Sequence, residues 1–145
     1  MNVAVAPAIV VVRRTIPATA EELFDAWLDP AALAVWMRPG TVRRTTARVD
    51  ARVGGRYEIV MEVDDGTIPH AGEYRLIDRP RRLVFTWHSR YTDKCDTLVT
   101  VDFLPVAQQT EVVITHEQLP DSEREGHHRG WTGALEKLAA SYGRS

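Results

Sequence analysis

The sequence predicts an α+β fold in which a curved antiparallel sheet of about seven strands, in the order β-α-α-β-β-β-β-β-β-α, wraps a long C-terminal helix. Three observations predict it. From residue 42 to 118 apolar residues recur with period two, the mark of half-buried strands. The separators between those runs are short turn signals, which pair consecutive strands antiparallel because a parallel pair needs a crossover of a dozen or more residues. Near the C-terminus, Trp131, Leu135, Leu138 and Tyr142 recur at i, i+4, i+7 and i+11, an apolar stripe along one helix. A sheet with one apolar face needs a cover, and that stripe supplies it.

Each element has a local reason. Residues 8–16, "AIVVVRRTI", are rich in β-branched side chains and read as a strand. Thr19 and Glu22 have the spacing of a capping box and start a helix whose apolar face is Leu23, Phe24, Trp27 and Leu28. Asp29 caps a second short helix with Pro30 at its first position. Leu33, Trp36 and Met37 face inward from it before Pro39-Gly40 ends it. "VRRTTARVD" is polar enough for an edge strand and is available to pair with a second copy as a homodimer.

The strands that follow alternate. Tyr57, Ile59, Met61 and Val63 oppose Glu58 and Glu62, and Tyr74 and Leu76 share a face in "GEYRLI". Leu83, Phe85 and Trp87 form the next inward set, followed by Val99, Val101 and Phe103. Val112, Ile114 and His116 form the last. Gly54-Gly55, Asp65-Gly66, Arg79-Pro80, "SRYTDK" and "PVAQQ" are the turns. Ser122 and Glu125 have capping-box spacing and are expected to open the last helix.

Composition bounds the function. A chain of 145 residues fits one domain, 1–145, with an ordered core from about 9 to 142. A net charge of −2, with no basic stripe among aromatics, argues against nucleic acid as a partner. The one cysteine, Cys95, forms no internal disulfide, fits a reducing compartment, and has no neighbour that would make it a nucleophile. The apolar start lacks the basic residues of a signal peptide and reaches Arg13-Arg14 well short of the ~20 residues of a membrane span. A soluble, cytoplasmic protein is expected.

"RRTIPATAEELFDAWLDPAALAVWMRPG", "GGRYEIVM", "GEYRLIDRPRRLVFTW", "TLVTVDFLP", "TEVVITHEQLP" and "HHRGWTGALEKLA" together, in that order, resemble the START-like superfamily. Within it they are similar to the bacterial branch related to the activator of the 90-kDa heat-shock protein's ATPase. The resemblance runs from about residue 9 to 142 and implies a helix-grip fold with a hydrophobic cavity between sheet and C-terminal helix. It further implies binding of lipids, sterols or polyketides, with cyclisation or dehydration in some members. One eukaryotic branch stimulates a chaperone ATPase, and there a separate N-terminal domain accompanies this one. These 145 residues have no room for that domain, so a chaperone ranks behind a small hydrophobic molecule as the partner.

The leading function is therefore binding of a small hydrophobic ligand. The cavity set is Trp27 and Trp36 from the short helices, with Tyr57, Ile59, Met61, Tyr74, Phe85, Trp87, Val99, Val101, Ile114 and His116 from the sheet. His127, Trp131 and Leu135 complete it from the last helix. His116 is the one polar side chain in this inward series. It reads as a hydrogen-bonded wall residue or, in the alternative of a cyclase- or hydrolase-like enzyme, as a general acid or base. His127 and His128 flank the helix stripe as rim residues. Adjacent histidines on a helix diverge by ~100° and do not share an ion, so no metal is expected, and no motif asks for a cofactor. No G-x-S-x-G, C-x-x-C or phosphate loop is present.

Overall fold

The computed structural model describes residues 7–92 and 95–142. Residues 1–6 of the apolar start, Asp93 and Lys94 of the polar turn, and residues 143–145 lie outside them. The chain runs β1 (Ala8–Ile16), α1 (Ala20–Ala26), α2 (Pro30–Trp36), β2 (Arg44–Val49), β3 (Arg56–Val63), β4 (Gly66–Asp78), β5 (Arg82–Trp87), β6 (Thr97–Val106), β7 (Gln109–Leu119) and α3 (Arg124–Ser141). All seven strands form one antiparallel sheet in the order β1-β7-β6-β5-β4-β3-β2. The sheet does not close: β1 is one edge and the polar β2 is the other, as its composition predicts. The fold is the α+β arrangement expected, with α3 held against the inner face of the sheet. No helix among the described residues is long and apolar enough to cross a membrane.

Both early helices begin where their caps require. Thr19 Oγ1 accepts from Glu22 N, and the Glu22 carboxylate accepts from Thr19 N, each at 3.1 Å. Asp29 accepts from Ala31 N at 3.0 Å, with Pro30 opening α2. The helices plug one end of the sheet. Phe24 meets Phe103 at 5.2 Å between centroids, Trp27 meets Trp36 at 4.6 Å, and the Trp36 indole donates to Ala26 O.

Two local expectations fail. Ser122 does not cap α3: a 3-10 turn over Asp121–Glu123 intervenes, the cap position falls on Glu123, and no side chain bonds there. Leu76 does not share a face with Tyr74. An irregularity in the pairing with β5 falls between them, so the phase reverses and Leu76 is exposed while Ile77 packs on the core. Upstream of it, β4 extends back to Gly66, further than the alternation of "GEYRLI" indicates. Pro69 is tolerated there because only β3 is paired with β4 at that point. The extension places His70 on the inner face, two residues before Gly72 and four before Tyr74. Gly72 itself is required: a Cβ there would stand 1.9 Å from Thr86 O.

Candidate functional site

Trp131 is where α3 and the sheet are joined. Its ring lies 5.0 Å from that of Trp87 and 5.9 Å from that of Trp27. Its indole N–H donates to His116 Nδ1 at 3.0 Å. On the other side of the imidazole, His116 Nε2 stands 2.7 Å from Thr97 Oγ1, and that hydroxyl is 2.7 Å from Trp87 O. A carbonyl only accepts, so the hydroxyl proton belongs to Trp87 O and Nε2 must carry the hydrogen that meets Thr97. The tautomer is thereby fixed and both ring nitrogens are engaged. His116 is fully shielded from solvent, and burial, helped by nearby His127, pulls its pKa from 6.5 down to about 3. It is a neutral, buried node whose two ring nitrogens are both engaged within the protein.

The open space lies beside this node. A cleft of about 750 Å³ runs between the N-terminal half of α3, the Pro39–Val42 loop and the open ends of β3 and β4. Its volume is in the range of small-molecule pockets, roughly 300–1,000 Å³. Met37, Met61, Val63, Ile68, Trp87 and Trp131 make its apolar wall. The helix contributes side chains such as Trp131 and His127 but is bare at Gly126, Gly130 and Gly133, which recur at i, i+4 and i+7. A Cβ at Gly126 or Gly130 would meet nothing within 4 Å.

Two imidazoles enter this lining. His70 is 7% exposed, its ring lies 4.7 Å from that of Trp87, and its Nδ1 is 3.3 Å from Ile59 O. Since that carbonyl accepts, Nδ1 carries the hydrogen, and Nε2 has no hydrogen-bond partner among the described residues. Burial is the main reason its pKa falls to about 4, partly offset by backbone carbonyls. His127 donates from Nδ1 to Glu123 O at 2.9 Å and is mostly covered. His128 is exposed at the rim. Arg129 is the one lining guanidinium among the described residues, and it is exposed and paired with Glu125 at 3.2 Å. Among the described residues no group of three potential ligands is arranged to hold a metal ion.

The structure divides the expected cavity residues into three sets. Met61, Trp87, His127 and Trp131 line the cleft. Trp27, Tyr57, Ile59, Tyr74 and Phe85, with Trp87 again, surround a residual space of only about 10 Å³ and are packed core. Trp36, Val99, Val101, Ile114, His116 and Leu135 are buried and line neither space. The reason is that the aromatic rings interlock: Tyr57 alone meets Tyr74 and Phe85 at 5.5 Å each, and its hydroxyl donates to Thr86 O. Sequence reasoning missed His70 and the glycine face. Both left a signal, His70 in its even spacing from Tyr74 and the glycines in their helical spacing where each costs stability.

The model of a protein family described as "Activator of Hsp90 ATPase homolog 1-like protein" matches residues 17–143. Among solved structures, a protein from Chromobacterium violaceum is 26% identical with a TM-score of 0.83, over 94% of this chain and 98% of that one. An HSP90 activator from Plasmodium falciparum is also 26% identical, with a TM-score of 0.74, over 94% and 99% of the two chains. CalU16 from Micromonospora echinospora, at 19% identity and a TM-score of 0.69 over 92% and 83%, shares the fold. No curated protein matches the chain.

Proposed function

This chain belongs to the activator of Hsp90 ATPase homolog 1-like family, and from that premise we propose that it binds a small, largely hydrophobic molecule in the cleft beside α3. The observation that carries the reading is the 750 Å³ space with Trp87 and Trp131 on its apolar wall. Apolar walls with a few polar groups among them are the ordinary composition of ligand sites. Native mass spectrometry of the protein purified from its own host tests it. A retained small molecule is expected, and Gly130→Trp, which puts an indole into open space, should lose it without losing its melting transition. A retained mass unaffected by that substitution places the ligand elsewhere. Neither a retained mass nor saturable uptake of an anilinonaphthalene dye leaves the reading without support.

A second reading is favoured by a different observation. The Plasmodium falciparum HSP90 activator aligns over 99% of its own chain, so the length of this one does not argue against a chaperone-directed module. Stimulation of the host's 90-kDa chaperone ATPase by the purified protein is the assay. An unchanged ATPase rate at saturating protein removes this reading.

A further inference from the structure

The cleft's chemistry restricts what it can hold, and this inference rests on the cleft being the binding site. Part of the lining is aromatic, with Trp87 and Trp131 at 5.0 Å and the His70 ring tilted against Trp87 at 4.7 Å. On the same helix as Trp131, Gly126 and Gly130 carry no side chain, so the space extends over bare helix backbone there. At Gly133 an added Cβ would touch Pro39 and the Gly40 nitrogen at 3.4 Å, so the slot narrows toward the Pro39–Val42 loop. The rings of Trp87, Trp131 and His70 give an aromatic ligand edge and stacking contacts that an aliphatic one does not gain, and the glycines leave room for it over the helix.

The polar groups then decide the ligand's edge. Nδ1 of His70 is committed as a donor to Ile59 O, which leaves Nε2 an acceptor without a partner. Burial keeps that ring uncharged at neutral pH. Glu123 and Glu136 are the lining carboxylates, and Arg129, already tied to Glu125, is the lining cation. An anionic head group would therefore enter without a buried positive partner, whereas a hydroxyl or N–H would satisfy a waiting acceptor.

We propose that the cleft takes an uncharged aromatic molecule bearing a hydroxyl or N–H donor, seated against Trp87 and Trp131 and over the glycine positions of α3, with the donor on His70 Nε2. The test is equilibrium dialysis at pH 8 with three probes that share one ring system: 2-naphthol, naphthalene and 2-naphthoate. The naphthol should bind roughly ten-fold tighter than naphthalene, about the value of one hydrogen bond to an acceptor facing the cleft, and the naphthoate more weakly than either. His70→Phe keeps a ring against Trp87 but removes the acceptor, so it should erase the naphthol's advantage over naphthalene. Naphthoate binding as tightly as naphthol, or a naphthol preference that survives His70→Phe, overturns the proposal. Should His70→Phe fail to melt cooperatively, the order of the three probes on the unaltered protein decides alone. Equal binding of all three rings sinks this ligand class and leaves the cleft standing. Binding of none of them by the folded protein sinks the cleft reading itself.

Discussion

Replacing His116 by glutamine separates its structural role from its titration. A carboxamide offers one acceptor for the Trp131 indole and one donor for Thr97, the two bonds the imidazole makes, but it binds no proton. The imidazole's pKa is 6.5 in the unfolded chain and about 3 in the folded one. Between those values the unfolded chain holds a proton that the folded chain does not. Stability from this group is thus complete above pH 6.5 and is lost as pH falls toward 3, at up to ~1.4 kcal/mol per pH unit. His70, with a folded value of about 4, behaves in the same sense over pH 6.5 to 4. The unaltered protein should therefore lose up to ~2.7 kcal/mol per unit from the two rings between pH 6 and 4.5, and His116→Gln about half of that. Carboxylates add their own slope, but equally to both proteins, so the difference isolates His116. Urea denaturation at half-unit steps from pH 4.5 to 7 measures it, with equal m-values as the check that the unfolded states match. Parallel stability curves for the two proteins would refute the reasoning, since a His116 that titrates alike in both states is not shut inside.

Four further outcomes follow from the packing. Trp131→Ala removes a ring that is 4% exposed and should cost about 3–5 kcal/mol, lowering Tm by roughly 10 °C by circular dichroism; a cost below ~1 kcal/mol would mean the helix is not seated on the sheet. Gly130→Ala should instead stabilise by up to ~1 kcal/mol, because the new methyl enters empty space and the helix loses a glycine; a lower Tm contradicts the open cleft. Gly72→Ala drives a Cβ into Thr86 O and should abolish a cooperative melt or lower Tm severely, and an unchanged Tm would dispute that close approach. Thr19→Ala deletes the α1 capping box and should cost about 1 kcal/mol in urea denaturation, with no measurable loss arguing that the box does not form in solution.

Most of the fold was legible because its determinants are local. The β1 boundaries, the two caps at Thr19 and Asp29, and the inward sets of β3, β5, β6 and β7 can each be read within a window of about ten residues. What escaped depends on geometry that no window contains. The reversal at Leu76 is set by pairing with β5, and alternation has no way to announce it. The helix start slipped from Ser122 to Glu123 because Pro120 leads into a tight turn before α3 begins. The site was the least legible part. An inward aromatic looks the same in sequence whether it fills a core or borders a space, and only ring-to-ring distances put Tyr57 in the first class and Trp87 partly in the second.

The two halves of α3 explain where that space is. C-terminal to Trp131, Ala134, Leu135, Leu138 and Ala139 are all buried, and the helix packs on β1 and α2. N-terminal to it, Gly126 and Gly130 face open space and His128 and Arg129 are exposed. Trp131 sits at the boundary, tied through His116 and Thr97 to the backbone of Trp87. Glycine inside a helix costs ~1 kcal/mol relative to alanine, and at 126 and 130 no neighbouring atom demands it. A helix under selection for stability alone would carry alanine there. The glycines make sense as the means of keeping the N-terminal half thin, and the His116 node as the fixed point that sets how far that half stands from the sheet. Disturbing the node should therefore change affinity in the cleft without any contact to the ligand, whereas substitutions at Val99 or Val101, equally buried but away from the cleft, should change stability alone.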